Sequence, residues 1–129
     1  MSLSHSTVSN RTVVVVEDEA LVRELAVCEL EESGFRVVEF PTADAALAYL
    51  QVHNGEAGVV FTDVQMPGLL SGLDLAEIVG RRWPGIGVLV TSGGATLNLA
   101  KLPACARFIP KPWRCADMVN RVEGIARHC

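Results

Sequence analysis

The chain has 129 residues, half of them hydrophobic and a fifth charged, which is the make-up of one globular domain and leaves no room for a second of ordinary size. Its 11 Lys+Arg against 15 Asp+Glu give a formal net charge of -4, which argues against direct nucleic-acid binding through clustered positive charge. No apolar run approaches the ~20 residues that span a bilayer, so no membrane association is expected. The four cysteines, Cys28, Cys105, Cys115 and Cys129, are scattered without a C-x-x-C pair or a histidine at zinc spacing. Reduced thiols in the cytoplasm are the default for such a pattern.

Residues 1–10 are polar and lack the basic and apolar regions of a secretory signal, so they are expected to be a disordered lead-in to a domain spanning 11–129. Thr12-Val-Val-Val-Val16 is apolar almost throughout, as a strand buried on both faces requires. A helix follows from about 19 to 33, with Val22, Leu25, Ala26 and Leu30 as its inward stripe and Gly34 as its stop. Arg36 to Phe40 reads as a second, more exposed strand. Thr42 is placed to cap the next helix, whose stripe is Ala43, Ala46, Leu47 and Leu50.

Gly58 to Asp63 is the third strand and ends in a carboxylate. After the Pro67-Gly68 break a helix runs from about Gly72 to Arg82, and Pro84-Gly85 turns the chain into a fourth strand, Ile86 to Ser92. A short helix is expected near Thr96 to Leu102, a fifth strand at Ala106 to Ile109, and a last helix from about Trp113 to His128. Strands joined by helical crossovers of these lengths predict a parallel sheet with helices on both faces. In such a sheet ligands sit outside the carboxyl ends of the strands, at the point where strand order switches.

The strand ends carry one coherent set of groups. Glu17, Asp18 and Glu19 follow the first strand, Asp63 ends the third, Thr91 and Ser92 end the fourth, and Lys111 follows the fifth between Pro110 and Pro112. Carboxylates brought this close repel one another, and a divalent cation relieves the conflict. Oxygen donors of this kind suit Mg²⁺, which works readily with phosphate oxygens. Cation, lysine and hydroxyl together neutralise an incoming phosphoryl group, and Asp63 is the candidate nucleophile, giving an acyl phosphate. Each group also has a plainer reading: the aspartates as turn caps, Lys111 as a solvated lysine, and Phe108, Trp83 and Trp113 as packing residues. Convergence favours the metal and phosphate reading. Strand alternation turns Thr91 away from Ser92.

These residues resemble a known family. The stretches Val-Val-Val-Val-Glu-Asp-Glu at 13–19, Phe-Thr-Asp-Val-Gln-Met-Pro-Gly at 61–68 and Pro-Lys-Pro at 110–112 are similar to motifs of the CheY-like receiver domain of bacterial response regulators, in the same order. The resemblance implies a flavodoxin-like, doubly wound α/β fold with a five-stranded parallel sheet in order 2-1-3-4-5 and five surrounding helices, the fourth short. It implies two-component signal transduction in the cytoplasm. Asp63 would accept phosphate from a histidine kinase or histidine phosphotransfer protein, in a reaction the domain itself catalyses, and lose it slowly by hydrolysis. Mg²⁺ would be held by Asp18, Asp63 and the backbone carbonyl of Gln65, with Glu17 acting directly or through water. Ser92 and Lys111 would bind phosphoryl oxygens, joined by the backbone N–H groups of Val64 and Gly93. Phe108 would be the aromatic switch residue coupled to Ser92, and the Lys111–Pro112 bond would be cis. The face made by the fourth helix, fifth strand and last helix would bind an output domain or partner, with homodimerisation there left open.

Three departures from the family pattern stand out. The loop between Pro67 and Gly72 is one residue longer than usual, with Ser71 in place of an Asp. The interval from Ser92 to Lys111 is short. Gly94 stands where a bulkier residue is common, and with Gln65 it flanks the path of a hydrolytic water, which implies an aspartyl phosphate with little protection. A haloacid-dehalogenase-like hydrolase is the alternative enzyme, but it needs an acid two residues after the nucleophile, where Gln65 stands. A receiver-like module that no longer uses phosphate is the alternative binding protein.

Overall fold

The computed structural model describes residues 12–93, 102–103 and 106–128. Strand β1 (Thr12–Val16) leads into helix α1 (Ala20–Glu32), β2 (Arg36–Phe40) into α2 (Ala43–His53), and β3 (Ala57–Asp63) into α3 (Gly72–Arg82). Strands β4 (Gly87–Ser92) and β5 (Ala106–Pro110) follow, and α4 (Cys115–His128) completes the described chain. A single 3₁₀ turn, Asn54–Glu56, which the sequence pattern does not announce, joins α2 to β3. The five strands form one sheet in the order β2-β1-β3-β4-β5, every pair parallel. This is the expected doubly wound sheet. Four α-helices surround it among the described residues. The short helix expected near Thr96 to Leu102, and the lead-in at 1–10, lie outside the described residues.

Side-chain alternation along the strands divides the core in two. Val14, Val16, Val60, Val88 and Val90 pack with Ala43, Ala46 and Leu50 of α2 and Leu75, Ala76 and Val79 of α3. Val13, Val15, Val59, Phe61, Leu89 and Ile109 pack on the other face with Ala26 and Leu30 of α1 and Met118, Val122 and Ile125 of α4. A central strand buried on both faces has no use for polar alternation, which is why β1 reads as an unbroken valine run.

Local chemistry sets the helix ends. Thr42 Oγ1 accepts from the Ala45 N–H at 3.1 Å. Ser71 and Asp74 form a reciprocal capping box at the start of α3. The residue that departs from the family pattern in the long loop is therefore a helix cap. Gly34 closes α1 at φ +97°, a conformation that costs other residues a steric clash. One expectation fails: Leu25 is 46 % exposed instead of joining the inward stripe of α1. That side of the helix faces Pro112 and Trp113 across an open groove rather than the sheet.

Gly72 is needed for space. A Cβ built there would lie 1.6 Å from the Asp63 carbonyl oxygen, a backbone atom with no freedom to retreat. Gly72→Ala is therefore expected to destabilise the fold by about 3 kcal/mol, the upper range for overpacking. Gly55→Ala, where a Cβ meets nothing within 4 Å, should stay within ~0.5 kcal/mol of wild type. Urea denaturation of the two variants checks the contrast.

Candidate functional site

Strand order reverses beside β1, because β2 lies on one side of it and β3 on the other. The carboxyl ends of β1 and β3 therefore border the crevice where an open α/β sheet binds its ligand. Glu17 and Asp18 leave β1 there, and Asp63 is the last residue of β3. Ser92 ends β4, and the Lys111 N–H donates to its carbonyl at 3.0 Å, which carries the β4–β5 ladder up to the lysine.

The side chains meet. Lys111 Nζ lies 2.9 Å from Glu17 Oε1 and 2.9 Å from Asp63 Oδ2, with Glu19 Oε1 further off at 3.8 Å. Glu17 and Asp63 are buried and Asp18 is exposed. Carboxylate oxygens of all three lie within 4.8 Å of one another. Burial pushes the Glu17 carboxyl up from its ordinary value, against the pull of its hydrogen bonds to Lys111 and the Glu19 N–H. Burial alone would lower the Lys111 ammonium, but its hydrogen bonds to Glu17 and Asp63 and their charges outweigh that and raise it. The pair is a buried charge cluster in which each member needs the other.

One ammonium set against three carboxylates leaves a surplus of negative charge. An all-oxygen donor set with two buried members and one open to water suits a hard divalent cation that keeps part of its hydration shell. The acidic cluster is thus able to hold a metal. Above it lies a cleft of about 570 Å³ lined by Asp18, Glu19, Asp63, Gln65, Ser92, Gly93 and Lys111. The cleft is large enough and polar enough for a phosphoryl group beside a hydrated ion.

Most of the residues singled out from the sequence thus come together: Glu17, Asp18, Asp63, Gln65, Ser92, Gly93 and Lys111. Phe108 is partly buried against the α2–α3 side of the core, directly opposite Val90 in the β4–β5 pairing. The Lys111–Pro112 peptide bond is cis, as expected. The Val64 N–H is a correction: it donates to the Thr91 carbonyl at 3.0 Å, extending the β3–β4 ladder by one rung, and is not turned toward the cleft. Gly94 lies outside the described residues.

Sequence reasoning missed two supports and named a third. Arg23 of α1 donates from Nη1 to the Glu17 carbonyl at 2.9 Å while its Nε pairs with Glu39 Oε1 at 2.9 Å, so it braces the end of β1 against β2. Asp44 of α2 accepts from the Leu69 and Leu70 N–H groups at 3.3 and 3.0 Å and holds the long loop that follows Asp63. Trp113 packs on Phe61 with ring centroids 5.8 Å apart and forms one wall beside the cluster. Trp113 is the packing residue that the sequence reading made it, whereas Arg23 and Asp44 carried no legible signal.

Comparison with known proteins agrees with this geometry. Residues 13–123 match the family described as the response regulator receiver domain. The sensor kinase CckA of Brucella abortus (strain 2308) is 34 % identical over 115 residues, which cover 87 % of this chain and 12 % of that protein. The response regulator receiver protein CpdR of the same organism is 27 % identical over 116 residues, which cover 88 % of this chain and 94 % of that protein. The crystal structure of a response regulator receiver protein from Sinorhizobium medicae WSM419 superposes with a TM-score of 0.85 at 21 % identity, over 92 % of this chain and 96 % of that one, and shows the shared fold. The matched stretch is thus nearly the whole of one relative and a small part of another. With its sheet order, its acidic crevice and a family match from the first strand into the last helix, the chain belongs to the response regulator receiver domain family, the phosphoacceptor modules of two-component signalling.

Proposed function

We propose that Asp63 is the phosphoacceptor, within a receiver unit spanning 11–129. The observation that carries this reading is that its carboxylate accepts a 2.9 Å hydrogen bond from Lys111 while lining the open cleft. A carboxylate so placed is fixed in direction, faces the solvent side and has a cation beside it. An Asp63 oxygen attacks the phosphorus of a phosphohistidine, a P–O bond forms and the P–N bond breaks. The imidazole leaves with the electron pair and takes a proton from water, so a neutral ring departs. The donor is a histidine kinase or a histidine phosphotransfer protein.

Lys111 then exchanges its contact with Asp63 for a phosphoryl oxygen, and Ser92 and the Gly93 N–H serve the others. Glu17, Asp18, Asp63 and the Gln65 carbonyl would hold Mg²⁺, which supplies charge neutralisation for the phosphoryl oxygens when bound. Fixed positive charge at that point is most of what such a transfer asks of a protein, so the domain catalyses its own phosphorylation and loses the phosphate by slow hydrolysis. Phe108 and Ser92 form the switch, and the added charge shifts an existing equilibrium between two conformers. The output surface includes β5 and α4, and the downstream domain or protein binds there; the short fourth helix expected as part of that face lies outside the described residues. This reading carries with it the cytoplasmic location expected from the sequence.

Acetyl phosphate with Mg²⁺ labels the wild-type chain at one acid-stable, hydroxylamine-sensitive site, and beryllofluoride with Mg²⁺ shifts its amide NMR spectrum. Asp63→Asn abolishes both, and a wild-type spectrum that beryllofluoride leaves unchanged overturns the reading. Mg²⁺ alone raises the thermal unfolding midpoint, with about 2.7 kcal/mol of added stability at a hundredfold excess over Kd. Asp18→Asn lowers the apparent Mg²⁺ affinity by about tenfold or more, the scale at which even outer-sphere changes act, as read by calorimetric titration.

A further inference from the structure

Two polar side-chain atoms are buried without a hydrogen-bond partner among the described residues: the Thr91 hydroxyl and the Trp113 indole N–H. Thr91 is 2 % exposed. A buried hydroxyl or indole N–H left unpaired costs free energy, and native structures pair such groups with protein or with ordered water. Here the two line one small space. A cavity of about 10 Å³ is lined by both residues, together with Glu17, Asp63 and an apolar surround that includes Val15 and Phe61.

The size decides the occupant. About 10–15 Å³ is the least space that holds one water, and a buried water needs two to four polar partners. Four of the lining residues carry such groups: an indole N–H that only donates, a hydroxyl that donates and accepts, and two carboxylates that accept. Register explains why they meet. Asp63 pairs with Thr91 across β3 and β4, and both sit on the face that packs against α1 and α4, where Trp113 closes the space behind Phe61.

We propose that one water molecule is held in this cavity, accepting from Trp113 Nε1–H, sharing a hydrogen bond with the Thr91 hydroxyl, and donating to the carboxylate floor formed by Asp63 and Glu17. Thr91 and Trp113 are then positioning residues. They act through the water on the inner side of the acidic cluster, while Lys111 acts on the outer side. The water site stands on the orphaned groups alone; its bearing on phosphorylation rests on the assignment of Asp63 as acceptor.

The test uses the full chain, labelled with ¹⁵N, and a water-selective NOE to the indole Nε1–H of Trp113, distinguished from that of Trp83 by the Trp113→Phe variant. The expected result is an NOE with the sign of a long-held water, lost in Thr91→Val and restored in Thr91→Ser. An indole proton that sees only fleeting surface water, or an NOE that survives Thr91→Val, overturns the proposal. A stability cycle gives a second reading, because a shared water makes the two side chains interdependent. Thr91→Val and Trp113→Phe each lower the folding equilibrium constant by about tenfold, and the double variant falls little further, since both polar groups are then gone. Penalties that multiply in the double variant overturn the shared water. Beryllofluoride added to the same samples separates the two readings. A chain that responds to it without a held water loses this proposal and keeps Asp63 as acceptor, whereas a held water in an unresponsive chain supports the site and overturns the acceptor assignment.

Discussion

The position of one ammonium group organises this domain. Lys111 stands at the end of the last strand and reaches carboxylates at the ends of the first and third, both at 2.9 Å. Glu17 and Asp63 are too deeply buried to be left beside each other without a counter-charge, and an unpaired charge at such depth destabilises a fold by several kcal/mol. The bridge works only if three strands that are distant in sequence end at one level. The parallel pairing of β1 with β3, in step from Val13 onward, of β3 with β4 and of β4 with β5 provides that level. The sheet is thus the means by which a charge cluster is assembled, and the cluster in turn ties its far edge to its centre.

The surroundings reinforce this placement from several sides. Arg23 fixes the backbone at Glu17 by donating to its carbonyl, and the Glu17 carboxylate turns back to accept from the Glu19 N–H at 3.1 Å. The Lys111 backbone is bound to the Ser92 carbonyl before its side chain reaches out. Asp18, by contrast, is left exposed. The site therefore has a rigid half, made of buried groups already paired with each other, and an open half able to receive an ion and an anion without prior rearrangement of the core. Preorganisation of this kind lowers the cost of stabilising charge as it develops.

Much of this was legible in the chain because the deciding features are local. A valine run with no polar alternation marks a central parallel strand, Thr42 before an alanine-rich stretch marks a helix start, and acidic or basic residues directly after apolar runs mark the crevice. What stayed hidden depends on distance. Leu25 has the spacing of a core residue, but α1 also borders the groove beside Pro112 and Trp113, and periodicity does not say which apolar neighbour a face meets. The Val64 N–H looked available because the ladder's length is not written in β3 alone; one more rung to Thr91 consumes it. Asp44 lies well before the loop it holds and carries no motif. Ser71 looked like the loss of a family aspartate, and only the start of α3 shows that it gained a capping role.

The grip of Asp44 on the long loop has a use beyond holding it still. Both hydrogen bonds run from main-chain N–H groups to one carboxylate, so the tether is blind to the side chains it secures. Leu69, which points almost wholly into solvent at 92 % exposure, is thereby free to be recoded without loosening its own backbone. The loop after Asp63 is a place where this scaffold tolerates new sequence, and where evolution or a protein engineer can rewrite the surface while the chemistry of the cluster is left alone.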